Sequence, residues 1–126
     1  MSVLTQPPSM GDVLKYELNP NFTRETVTLL AGTAYPVGAV VGKITASGKY
    51  KLSTSGGTDG AQTAAAVLLY ATDARAADQE AVVILRGPAI VSKAALVFDA
   101  TVDDAAKIAT KLGQLTALGI IPRDTA

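Results

Sequence analysis

The chain has 126 residues and sets 11 basic side chains against 11 acidic ones, with no histidine, cysteine or tryptophan. That length suits one domain, which buries roughly two-thirds of the surface its unfolded chain exposes and needs no disulfide or metal staple. Scattered charges summing to zero give no basic stripe to displace phosphate counterions, which argues against a nucleic-acid partner. Without histidine and cysteine the chain lacks the commonest general base, the commonest metal ligand and all thiolate chemistry.

Hydrophobic residues make up 48% of the chain, but 22 of them are alanine and aromatics reach only 5%. Small side chains remove little area from water, at about 25 cal/mol per Å². The composition therefore predicts a modest monomer core and some stability drawn from association. The start, Met1-Ser2-Val3-Leu4-Thr5-Gln6-Pro7-Pro8, has no basic opening or long apolar stretch, so no signal peptide is expected. No run of 18 apolar residues occurs, so no membrane-spanning helix is expected. The chain reads as soluble and made in the cytoplasm.

In chain order, residues 1–22 differ from the rest. Pro7, Pro8 and Pro20 disfavour helix across Gln6 to Gly11 and at Asn19. Between them Leu14, Tyr16 and Leu18 alternate with Lys15 and Glu17, a period-two stretch with no hairpin partner nearby. This predicts an extended arm, disordered in the free protein up to Phe22. From Thr23 the pattern turns β: Thr23 to Leu30, then Val37 to Thr45, then Lys49 to Leu52 after an Ala46-Ser47-Gly48 turn. Residues Thr54 to Gly60 form a Ser/Thr/Gly loop. Ala64 to Tyr70 fits strand or helix by periodicity alone. Thr72 to Glu80 reads as a loop or short helical turn, and Ala81 to Leu85 as a strand stopped by Gly87-Pro88. Ala89 to Val91 and Leu96 to Phe98 are predicted short strands. The tail is a predicted helix with Thr101 as its cap, apolar at Ala106, Ile108, Ala109, Leu112 and Leu115, and stopped at Gly119.

No catalytic apparatus emerges, and the chain reads as no enzyme. Gly38-Ala39-Val40-Val41-Gly42-Lys43-Ile44 superficially suggests a phosphate loop, but it has three residues between the glycines and Ile after Lys. Asp103-Asp104 fits a helix start better than a metal site, and Asp78 with Glu80 fits a solvated loop. Asn21-Phe22-Thr23 matches a glycosylation acceptor, though without a leader it would not meet that machinery. Serines and threonines are plentiful, yet no base stands ready to activate them. Arg24 and Arg86 lie beside β runs, where a salt bridge, a carbonyl contact or an inter-subunit contact would suit them.

One ordered set of segments is more specific than any of these. Thr23-Arg24-Glu25-Thr26-Val27-Thr28 is followed by Val37 to Ile44, Gly48-Lys49-Tyr50 and Asp59-Gly60. The alanine run into Val67-Leu68-Leu69 comes next, then Val82 to Ala89, then Leu118-Gly119-Ile120-Ile121-Pro122-Arg123. Over about residues 12–123 this resembles the lambda-like bacteriophage head decoration protein D family. The resemblance implies a mainly β (α+β) fold, compact and β-clip-like with short helices, as a single domain over 23–126 behind a capsid-binding arm over 1–22. It implies homotrimers that bind the major capsid protein at local three-fold positions on the outside of an expanded head, with no cofactor, metal or catalytic residue. The expected capsid-contact residues are Leu14, Tyr16, Leu18, Phe22 and Arg24. A small β-rich ligand- or peptide-binding module is the alternative, and would need a concave apolar pocket. A hydrolase or sugar-binding enzyme would need a placed acid/base pair.

Overall fold

The structure, a computed structural model, describes residues 10–124. Two helical turns and a strand come first: α1 (Met10–Val13), β1 (Leu14–Glu17) and α2 (Pro20–Thr23). Pro20 starts α2 rather than blocking it, because at the first helical position its missing N–H has no helical partner to lose. The Asn19 side chain caps the turn by accepting from the Asn21 N–H at 2.9 Å. Next come β2 (Arg24–Leu29), β3 (Ala34–Tyr35), β4 (Val40–Lys43), β5 (Tyr50–Leu52), β6 (Ala66–Leu68), β7 (Thr72–Asp73), β8 (Gln79–Ile84) and β9 (Ala89–Ser92). A 3-10 turn (Lys93–Ala95), α3 (Ala105–Ala117) and β10 (Ile120–Arg123) complete the described chain.

Strands β2-β5-β4-β6-β8 close into a barrel, and β1-β9-β10 form a separate three-stranded sheet. The β-branched runs give the barrel wall its material, and period-two alternation splits that wall between two cores. Leu29, Val41, Tyr50, Ala66, Leu68, Ala81 and Val83, drawn from all five barrel strands, fill the interior. The neighbours Val40, Val67 and Ile84 point outward, against Val13, Ala89, Val91, Leu115 and Ile120. Strands buried on both faces read as unbroken apolar runs, which is why Ala64 to Tyr70 left helix and strand equally open. The alanines have a clear place here. A five-stranded barrel has a narrow bore, and Ala39, Ala66, Ala74 and Ala81 pack there around Tyr35 and Tyr50.

The fold class agrees with the expected mainly β, α+β architecture, whereas several local expectations need correction. Leu96 to Phe98 makes only a single bridge, Ala39 with Val97. The segment from Thr72 to Glu80 contains β7 and the start of β8. Asp104, not Thr101, caps α3 by accepting from the Lys107 N–H at 2.8 Å. The Thr101 hydroxyl instead donates to Asp99 at 2.6 Å and accepts from the Ser55 N–H. Ile120 to Arg123, which follow the expected stop at Gly119 and for which no element was expected, pair in parallel with β9.

The largest correction concerns the arm. Residues 10–22 are folded onto the body: Val13 is fully buried, β1 pairs antiparallel with β9, and the Leu18 N–H donates to the Pro88 carbonyl at 3.0 Å. The helical turn α1 also takes in Met10 and Gly11, where proline was expected to exclude helix. β1 is extended as expected, but its partner lies more than 70 positions away (Leu14 with Val91), outside any local hairpin search. Residues 1–9 of the expected arm lie outside the described residues.

Gly42 gives a direct test of barrel packing. A Cβ there would meet the Ala61 carbonyl and lie 2.7 Å from the Thr63 carbonyl oxygen, both backbone atoms with no room to yield. Gly42→Ala should lower unfolding stability by about 3 kcal/mol through overpacking. Gly56→Ala, whose Cβ meets nothing within 4 Å, should shift it by less than about 0.5 kcal/mol. Urea denaturation of the two variants reads the difference.

Candidate capsid-facing surface

The sheet β1-β9-β10 covers the outer core with one face and leaves the other uncovered among the described residues. On central strand β9, Ala89 and Val91 are buried while Ile90 turns outward. Register places Tyr16 of β1 on one side of Ile90 and Ile121 of β10 on the other. A row of three large apolar side chains therefore crosses the outer face. Leu18 extends it beside Pro88, and Leu118, whose carbonyl accepts from the Gly87 N–H at 2.9 Å, borders the same turn. Tyr16, Leu18, Phe22, Leu118 and Ile121 are each between 37% and 59% exposed. Scattered single apolar residues need no explanation, but a contiguous group marks an interaction surface.

Leu14 does not share this face. Leu14 pairs with Val91 and Tyr16 with Ile90, so two steps on β1 answer one on β9. That bulge at Lys15 reverses the alternation, which turns Leu14 inward against the outer core and Tyr16 outward. The five expected contact residues are thus divided. Tyr16, Leu18 and Phe22 are exposed, Leu14 is partly buried, and Arg24 is occupied within the chain. Ile90, Leu118 and Ile121 went unnoticed in the sequence. Their signal was the alternation of Ala89-Ile90-Val91 and Ile120-Ile121, which becomes informative only once β9 and β10 are known to be neighbours.

Two ion pairs lie beside this surface, Glu17–Arg24 largely buried and Glu25–Arg86 more exposed. The Arg24 guanidinium donates to the Glu17 carboxylate through Nη2 at 2.6 Å and Nε at 3.0 Å, tying β1 to β2. The Thr23 hydroxyl adds a bond to the same carboxylate at 2.7 Å. Arg86 lies 5.4 Å from the centroid of the Phe22 ring, donates to the Phe22 carbonyl and pairs with Glu25 at 3.1 Å. Cation–π contact and carbonyl bond together hold α2 against β8. These four charges cancel in pairs, while the exposed Lys15 on β1 and Arg123 on β10 put positive charge at the edges of the apolar row.

Other chemistry has little support in the geometry. Among the described residues no three His, Cys, Asp or Glu side chains gather as a metal site. The clefts beside Leu30, Tyr35 and Leu52 and beside Tyr35, Pro36 and Arg75 are open to solvent. No described helix is long and apolar enough to cross a membrane.

Residues 3–120 match the sequence profile of the family described as bacteriophage lambda head decoration protein D. The chain belongs to that family. No curated protein matches the chain significantly. The family is one of structural components of the phage head, not an enzyme family.

The Glu17–Arg24 tie predicts a pH signature. Burial pushes the Glu17 carboxyl up, but hydrogen bonds from Arg24 and Thr23 and the Arg24 charge outweigh it and hold the group below its ordinary value. A depressed carboxylate pKa contributes stability above its unfolded value and loses it as pH falls through the folded one. Glu17→Gln should therefore cost about 1.5–3 kcal/mol at neutral pH. Denaturation from pH 7 to pH 2 should show the gap between wild type and variant closing below the ordinary carboxylate range. A gap constant across that range would contradict the assignment.

Proposed function

We propose that this chain decorates the outer surface of an expanded phage head as a homotrimer at local three-fold positions, gripping the major capsid protein. The observation that carries the reading is the set of exposed apolar side chains Tyr16, Leu18, Phe22, Ile90, Leu118 and Ile121 in a member of a head decoration family. The segment up to Phe22 serves as the capsid-binding region, with Leu14 and Arg24 supporting it from behind. The N-terminal arm adds main-chain hydrogen bonding to the capsid, with alternate side chains giving specificity. Trimerisation makes the grip tight. With about 10 μM for one subunit and about 1 mM effective concentration, each added contact contributes roughly 100-fold. A ligand that binds only the mature lattice stabilises that lattice by mass action.

Co-sedimentation with undecorated expanded capsids tests the reading. Wild type should pellet with capsids at nanomolar concentration, and sedimentation velocity should give a trimer. Leu18→Asp and Ile121→Asp should stay folded, being exposed, and lose at least about tenfold in affinity, since each buries a carboxylate in an apolar contact. Removing residues 2–22 would strip Val13 and β1 from the fold, so the informative truncation removes residues 2–9. DNA-filled heads lacking the protein should lose DNA at lower temperature than decorated ones. Unimpaired pelleting of both aspartate variants would refute the assigned face.

A further inference from the structure

Lys111 is the largest fully buried side chain in the described structure, 2% exposed on α3. Lysine is almost never buried to that degree without a partner. Its Nζ donates to the carbonyls of Thr54 and Gln62, one at the departing end and one at the returning end of the loop between β5 and β6. This one ammonium bridges the two ends of the loop at its neck. One turn further along the same helix face, Gln114 accepts from the Ala64 N–H at 2.7 Å. Ser53 Oγ reinforces the neck by donating to the Ala61 carbonyl at 2.8 Å.

We infer that Lys111 is a clasp: it locks the 54–62 loop onto α3, so that loop and helix open and close as one cooperative unit. The geometry requires this coupling. Without the ammonium, the Thr54 and Gln62 carbonyl oxygens lose the donor they share, and a part-buried acceptor left unsatisfied is costly. Burial pushes the Lys111 amine below its ordinary value, with the Asp99 carboxylate opposing that shift, as a desolvated neck demands. The neighbouring Asp59 is occupied by Lys51 at 2.6 Å, so no carboxylate of the loop replaces the carbonyls as partner. Compact loops with joined ends are often functional units, and this one has its lock on a different element.

Native-state hydrogen exchange on the full chain tests the clasp. In wild type, the protected amides of Ala61, Thr63 and Ala64 and those of α3 from Ala109 to Leu115 should share one opening free energy and one denaturant dependence. Lys111→Met should accelerate both groups by the same factor, about tenfold or more. In Lys111→Ala, propylammonium should restore protection, whereas tetramethylammonium, which cannot donate, should not. Separate opening energies for loop and helix in wild type would overturn the proposal without need of any variant. Acceleration confined to the loop, or equal rescue by the two cations, would overturn it as well.

Discussion

Val40 and Val41, Val67 and Leu68, and Val83 and Ile84 are adjacent pairs on three neighbouring strands, and each pair divides between the barrel interior and the outer core. Every other part of the fold depends on this double-sided wall. A strand with both faces buried cannot slip by one residue without exchanging the contents of two cores, so register is strongly specified. The outer set also dictates what must cover it. Val13, Ala89, Val91, Leu115 and Ile120 are the covering atoms, contributed by α1, β9, α3 and β10. The sheet β1-β9-β10 is therefore a lid required by the barrel, and its free face is a consequence of that requirement.

The same wall explains which features were legible in the sequence. The strands around Val27, Val41, Leu52 and Val83 were legible because β-branched runs between glycine and proline stops have few alternatives. The helix around Leu112 was legible from its spacing, but its start was misplaced, since Asp104 and Thr101 both suit a cap and only geometry decides between them. The long-range pairings were not legible. β1 with β9 and β10 with β9 involve partners far apart along the chain or joined in parallel, and alternation on one strand says nothing about which strand lies beside it. Phe22 was legible as a surface candidate, whereas Arg24 left a salt bridge and an inter-subunit contact both open, because an arginine at a strand edge has the same local sequence whether it faces a partner or an internal glutamate.

The bulge at Lys15 shows how a single backbone irregularity lets one strand serve both the core and the exposed face. Without it, Leu14 and Tyr16 would share one side of β1, and either the core would lose Leu14 or the outer face would lose Tyr16. With it, the strand supplies both: Leu14 packs inward near Val91 and Tyr16 turns outward beside Ile90. Bulges recur where a side chain must be re-aimed at a functional surface. The pairing of Glu17 with Arg24 and of Glu25 with Arg86 then neutralises four charges beside the exposed apolar row.

An arm that is disordered until it binds must give up its conformational freedom at the moment of contact, which lowers affinity for a given area. Here Tyr16, Leu18 and Phe22 are already held by strand pairing, by the Leu18 bond to Pro88 and by Arg86 stacked on the Phe22 ring. That ordering is included in the folding free energy, so a partner meets a preorganised surface and the entropic penalty of association is smaller. Preorganisation also has a price in solubility, since a permanently exposed apolar row invites self-association. Neutral flanking pairs do nothing to prevent it. The surface is therefore best suited to a protein whose copies are brought together anyway and whose partner surface is present in large number, as on a repeating capsid lattice.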